Sequence, residues 1–301
     1  MIAERPQKLL TCFPLTDQQI AQIQQTVPRW QLVHADQDTV GALIHDCDVF
    51  CGHARYGQID WQAVVESGRL KWIQSSAAGM DHCLTPPVVA SEITVSGCSG
   101  LFRDSVAEQT MALLYGLVRS LPVFFRAQQA REFIRRPTDD LHGKTIGIVG
   151  FGGNGQRIAE LLLPLQIRIL ATDMLTADWR SVGGLPPIDE LMFDDSLDAM
   201  LAQSDVVILA APLNSSTERM IGQEQLALLR RGGYLVNVGR GRLVDEAALV
   251  QALRSGHLCG AGLDVTWTEP LPADSPLWSE PGVLITPHVG AQSAGRNQRV
   301  V

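Results

Sequence analysis

Thr145-Ile146-Gly147-Ile148-Val149-Gly150-Phe151-Gly152-Gly153-Asn154-Gly155 reads as an apolar strand running into a glycine-rich turn, and the rest of the chain is placed relative to it. Ile146, Ile148 and Val149 are β-branched and form the short apolar run that a parallel strand covered on both faces needs. Gly150, Gly152 and Gly155 fit the spacing in which the first glycine permits a tight turn, the second a close approach to a pyrophosphate, and the third tight packing of helix on strand. Ile158, Leu161, Leu162 and Leu165 then recur on one helical face. The next apolar run, 167–172, ends in Asp173, 23 residues beyond Gly150 and close to the spacing of about 20 at which an acid meets the ribose hydroxyls. Strand, turn, helix, strand and acid in that order separate a dinucleotide site from a chance glycine pattern. A carboxylate accepts hydrogen bonds from ribose hydroxyls and repels a 2′-phosphate, and Met174-Leu175-Thr176 supplies no arginine to hold one. The cofactor read from these residues is NAD in preference to NADP.

The outer bounds agree. A chain of 301 residues with 46% hydrophobic and 19% charged residues is long enough for two domains and can bury a sizeable core. A net charge of −8 argues against a nucleic-acid partner, which needs a concentrated basic surface. Arg135-Arg136, with Arg131 nearby, is the densest basic spot and reads as a solvated helix end. The N-terminus lacks the apolar core of a signal peptide, and no uncharged apolar run is long enough to span a bilayer, so no membrane partner and a cytoplasmic location are expected. The six cysteines show neither C-x-x-C pairs nor a metal-ligand spacing; buried reduced thiols and no metal are the expectation.

In the first hundred residues, apolar runs at 9–13, 30–33, 47–51, 70–74 and 93–95 read as strands, with helices over 17–27, capped by Thr16 or Asp17, and over 60–66. Strands alternating with helices imply a small parallel-sheet α/β unit ahead of the glycine turn, free to bind substrate. The turn Ser75-Ser76-Ala77-Ala78-Gly79-Met80-Asp81 follows the fourth strand, and its small residues would let backbone N–H groups point at an anion. The stretch 105–119 is apolar nearly all round and reads as a buried helix that Pro122 ends or turns, followed by a polar surface connection over 131–142. Beyond Asp173, strands at 205–210, 234–238, 260–264 and 283–286 alternate with helices at 197–203, 223–230 and 246–255. With the two strands around the glycine turn these make six, the number of a full dinucleotide-binding sheet.

The chemistry gathers where the later strands end. Asn237-Val238-Gly239-Arg240-Gly241 sets an arginine between glycines just past a strand, where its planar fork suits a carboxylate and its charge can polarise a carbonyl. Glu269-Pro270 follows the strand that ends in Asp264, and Thr286-Pro287-His288-Val289-Gly290 closes the last strand with a histidine. Hydride transfer to a carbonyl needs a proton for the developing alkoxide, a positive group for the substrate acid, and a partner that tunes the proton donor. His288, Arg240 and Glu269 supply those needs at the ends of strands in the sheet that carries the nucleotide turn.

Taken together, the chain resembles the D-isomer-specific 2-hydroxyacid dehydrogenases over nearly its whole length. The resemblance rests on Ala77 to Asp81, Val106-Ala107-Glu108-Gln109, Gly150 to Gly155, Ala211-Pro212-Leu213, Asn237 to Gly241, Gly262-Leu263-Asp264-Val265 with Glu269-Pro270-Leu271-Pro272, and Pro287 to Gly290. It implies two doubly wound parallel-sheet α/β domains. The NAD-binding one is Rossmann-type, over 99–290, and is inserted into a substrate-binding domain of 1–98 plus 291–301. It also implies that Arg240 binds and polarises the 2-oxo acid, that His288 is the acid/base, and that Glu269 hydrogen-bonds His288 and raises its pKa. Asp264 would contact the nicotinamide carboxamide, and Ala77, Ala78 and Gly79 would receive the substrate carboxylate, with Arg55 a further candidate contact in the loop after the third strand. Cofactor contacts would fall on Gly150, Gly152, Gly153, Asn154, Gly155, Asp173, Ala211, Pro212, Val238 and Asp264. Homodimers built through the cofactor domains are usual in the family.

This sequence departs from the family pattern at Asn154, at Pro164 and Gln166, which should shorten the helix and alter its exit, and over Gly97 to Arg103. The chain stops at Val301, about where a return helix of the first domain should begin, so that helix is either missing from this chain or absent from the domain. No cluster of Lys and Arg in the first domain marks a phosphate pocket, which favours glyoxylate or hydroxypyruvate over phosphoglycerate as the small acid. The alternatives are a phosphoglycerate dehydrogenase and a non-catalytic NAD-sensing protein of the same fold.

Overall fold

The computed structural model describes residues 5–54, 57–173, 184–193 and 196–300. Residues 1–102 with 293–301 form one compact unit and residues 103–292 another. The first unit is built on β1 (Lys8–Cys12), β2 (Gln31–His34), β3 (Val49–Gly52), β4 (Trp72–Ser75) and β5 (Thr94–Ser96), all parallel, in the order β2-β1-β3-β4-β5. That order is one of the two common doubly wound arrangements. Leu10, pairing with Val33 on one side and Phe50 on the other, lies with Phe50, Ile44 and Ile73 among the fully buried side chains of its core. Helix α1 (Asp17–Thr26) starts with a capping box, in which Thr16 takes the amide of Gln19 and the Gln19 side chain reaches back. A short helix, Arg296–Val300, stands at the end of the chain.

The second unit carries β6 (Thr145–Val149), β7 (Arg168–Asp173), β8 (Glu190–Phe193), β9 (Val206–Leu209), β10 (Gly233–Asn237), β11 (Leu258–Leu263) and β12 (Val283–Ile285). They form one parallel sheet in the order β12-β11-β10-β9-β6-β7-β8. Every residue of β6 and β10 is buried, as expected of strands that are apolar but for Thr145 at the start of one and Asn237 at the end of the other. Ile146, Ile148 and Val149 are at most 2% exposed, each supplying roughly 1.5–3 kcal/mol of transfer free energy as an upper bound. From β6 the strands run outward in both directions, so the gap between β6 and β9 is the switch point at whose carboxyl edge such sheets bind ligands.

Three expectations are corrected. The sheet has seven strands where six were expected, because Glu190-Leu191-Met192-Phe193 is an edge strand whose composition carries no β-branched signal. Pro122 does not end the preceding helix, Arg103–Val118, which stops four residues before it; after Ser120 at φ +54, a further helix, Leu121–Ala130, begins with Pro122 in its first turn, where its missing N–H costs nothing. The thiols are not all buried: Cys259 is exposed, while burial pushes those of Cys47 and Cys51 up to about 12. Pro164 and Gln166 act as their chemistry suggests. The helix after the glycine turn, Gly153–Leu162, stops early and passes through a single 3-10 turn at Leu163–Leu165 to Gln166 at φ +55. No helix among the described residues is long and apolar enough to cross a membrane.

Candidate active site

Gly150 follows β6 at φ +89, and a Cβ there would fall 2.6 Å from the Cα of Ala211, just after β9; only glycine lets the turn close against the switch point. Gly152 caps the helix Gly153–Leu162 without any side-chain hydrogen bond, and a Cβ on it would meet nothing within 4 Å. The first helical turn therefore presents its amides to an open space, a fit for the pyrophosphate of NAD. Asn154 and Gly155 lie in that turn, Gly155 buried. Asp173, the last residue of β7, places Oδ2 2.6 Å from the amide nitrogen of Phe151, which donates to it, so the acid is held beside the glycine turn. Ala211 and Val238, after β9 and β10, are buried, while Pro212 is exposed and its carbonyl accepts the Thr217 hydroxyl at 2.7 Å.

Arg240, Glu269 and His288 follow β10, β11 and β12, three neighbouring strands, and so share one edge of the sheet. Asn237, 1% exposed at the end of β10, brackets the arginine turn: its side-chain nitrogen donates to the Arg240 carbonyl at 2.9 Å and its oxygen accepts the Gly239 amide at 3.1 Å. A Cβ on Gly241 would sit 1.9 Å from the Thr266 carbonyl, so a bare Cα lets the arginine loop touch the loop that carries Glu269. Nδ1 of His288 is 2.8 Å from Oε2 of Glu269, and Oε1 accepts the Thr266 amide at 3.2 Å. Burial pushes the Glu269 carboxyl up, but the hydrogen bond and charge of His288, the Thr266 amide and the nearby Arg240 guanidinium outweigh it and hold the group below its ordinary value.

His288 itself has φ +54, and its amide donates to the carbonyls of Asp264 at 2.7 Å and Thr286 at 3.0 Å. Asp264 is 3% exposed, and its carboxylate is turned to the same loop: Oδ1 accepts from the Val289 amide at 3.0 Å and Oδ2 from the Gly290 amide at 2.8 Å. The Trp267 ring lies 4.8 Å from the Arg219 guanidinium and 5.5 Å from that of Arg242, linking the loops after β9, β10 and β11. Asn237, Thr286 and Trp267 had no role assigned from sequence. The available signal was a polar residue ending an otherwise apolar strand at Asn237; for Trp267 there was none.

In the first unit, the amide of Ala77 donates to Ser75 Oγ at 3.1 Å and its carbonyl accepts the Cys98 amide at 3.0 Å, so Ala77 is engaged within the loop. Ala78 is exposed and Gly79 half-buried. Arg55 lies outside the described residues.

Residues 111–290 match the family described as D-isomer specific 2-hydroxyacid dehydrogenase, NAD binding domain. The chain is 33% identical over 255 residues to a glyoxylate reductase of Thermofilum pendens, covering 81% of this chain and 72% of that one. It is 34% identical over 231 residues to a glycerate dehydrogenase of Methylorubrum extorquens, covering 73% and 69%. Among solved structures, the TT0316 protein of Thermus thermophilus superposes with a TM-score of 0.81 at 28% identity, over 97% of this chain and 93% of that one. Its strand order, its glycine turn and these matches identify the chain as a member of the D-isomer-specific 2-hydroxyacid dehydrogenases, NAD-dependent oxidoreductases.

Proposed function

We propose that the protein reduces a small 2-oxo acid, glyoxylate or hydroxypyruvate, to the D-2-hydroxy acid, with His288 as the proton donor. The observation that carries this reading is the His288–Glu269 contact of 2.8 Å with Arg240 near enough for its charge to act on Glu269. Bound NADH, for which the glycine turn and Asp173 are the holding residues, supplies the hydride. Glu269, ionised, takes the Nδ1–H of His288 and so fixes the ring's tautomer and orientation, which leaves Nε2 to deliver the proton to the oxygen that develops negative charge. Arg240 binds the acid and polarises its carbonyl through a charged, planar donor set. Ala78 and Gly79, of the first unit, are assigned to the substrate carboxylate through their amides. Relatives named glyoxylate reductase and glycerate dehydrogenase support a two- or three-carbon substrate.

A panel of 2-oxo acids against NADH and NADPH tests this. Oxidation of NADH with glyoxylate or hydroxypyruvate, faster than with bulkier acids, is expected; a protein that binds NADH but reduces none of them is a sensor and not an enzyme. The same reading makes the protein a homodimer, supported by the exposed apolar side chains of Phe125, Phe133 and Ile134 in the cofactor-binding unit. Sedimentation as a monomer at working concentration would contradict that.

A further inference from the structure

We propose that Gln109, Thr286 and Asp264 form a directed hydrogen-bond relay that positions the His288 loop, making Gln109 and Thr286 positioning residues of the reaction. The inference rests on the reading of His288 as proton donor. Gln109 lies on Arg103–Val118, the helix with which the chain begins the second unit, and Thr286 opens the loop with which it leaves that unit at Gln292. Nε2 of Gln109 donates to Oγ1 of Thr286 at 2.9 Å, across 177 residues of sequence, and that hydroxyl donates to Oδ1 of Asp264 at 2.6 Å.

Asp264 then holds both residues that follow the histidine, taking the amides of Val289 and Gly290, while its own carbonyl takes the amide of His288. The left-handed backbone of His288, uncommon for a side chain with a Cβ, persists only where its surroundings determine it. The histidine is thus held twice: its ring by Glu269, its backbone by Asp264.

The relay has a direction. A hydroxyl carries one proton, so with Gln109 donating to Thr286, the Thr286 proton goes to Asp264, where it satisfies a buried carboxylate. Gln109→Met removes the donor but keeps the shape. Gln109→Glu puts a second acceptor where a donor is needed and sets two carboxylates in competition for one proton. Thr286→Val removes the hydroxyl, and Thr286→Ser keeps it.

Steady-state kinetics with NADH and hydroxypyruvate or glyoxylate, run beside thermal melts of each variant, test the relay. Thr286→Val should lower kcat about ten- to hundredfold with KM for the acid within about twofold, Thr286→Ser should return kcat to within about threefold of wild type, and Gln109→Glu should lose more than Gln109→Met. A purely structural role would instead move the melting temperature and leave kcat of the folded fraction unchanged, and that result overturns the proposal. If Thr286→Val does not fold, the order of the two Gln109 variants decides, and equal rates for both overturn it. An active wild type with an unimpaired Thr286→Val refutes the relay alone; a wild type inert toward every 2-oxo acid refutes the reading of the function and the relay with it.

Discussion

His288 Nδ1 lies 2.8 Å from Glu269 Oε2, yet the two side chains are 45% and 39% exposed. A contact that open adds little to folding stability, typically about 0–1 kcal/mol. Its consequence is geometric: it orients a ring that solvent can reach.

The acid-side behaviour of this pair follows from Glu269, whose carboxyl the folded protein holds below its ordinary value. A carboxyl with a lower pKa folded than unfolded adds stability above the unfolded value of about 4.3, and loses it as pH falls through the folded value. The melting-temperature gap between wild type and Glu269→Gln should therefore be widest near neutral pH and narrow as pH is lowered below about 4.3. Melts across that range check it; a gap that widens in acid contradicts the pairing.

Arg240→Ala should lower kcat/KM for the 2-oxo acid by at least about a hundredfold while the NADH dissociation constant stays within about threefold, since the side chain is assigned to the acid and not the nucleotide. Arg240→Lys should recover only a small part, because an ammonium cannot reproduce the planar fork. Fluorescence titration with NADH beside the kinetics separates the two quantities.

Asp173 accepts the Phe151 amide at 2.6 Å, and on the proposed reading its charge repels a 2′-phosphate. Asp173→Ser should weaken NADH binding roughly tenfold or more, the worth of a hydrogen bond to a charged group, and narrow the preference over NADPH. The ratio of the two dissociation constants is the measurement, and an unchanged ratio removes Asp173 from cofactor choice.

What could be read from the sequence was what local pattern encodes. The run through β6 into Gly150, Gly152 and Gly155 is legible because a buried parallel strand and a close-packed turn each restrict residue type. Arg240, Glu269 and His288 could be grouped because each follows a strand of one parallel sheet, whose carboxyl ends lie on one edge. The pairing of Gln109 with Thr286 has no such rule, since a helix and a loop 177 residues apart meet only through the tertiary fold. Glu190–Phe193 is not legible because an edge strand is under weaker compositional constraint, nor is the helix after Ser120, because a proline marks a helix start as well as a stop.

The claim that His288 delivers the proton is tested most directly by single-turnover reduction of hydroxypyruvate and glyoxylate by NADH-loaded wild type and His288→Ala. Wild type should oxidise NADH with at least one of the acids, and His288→Ala should do so at least about a hundredfold more slowly with NADH affinity retained. Comparable rates in the two proteins would contradict the account.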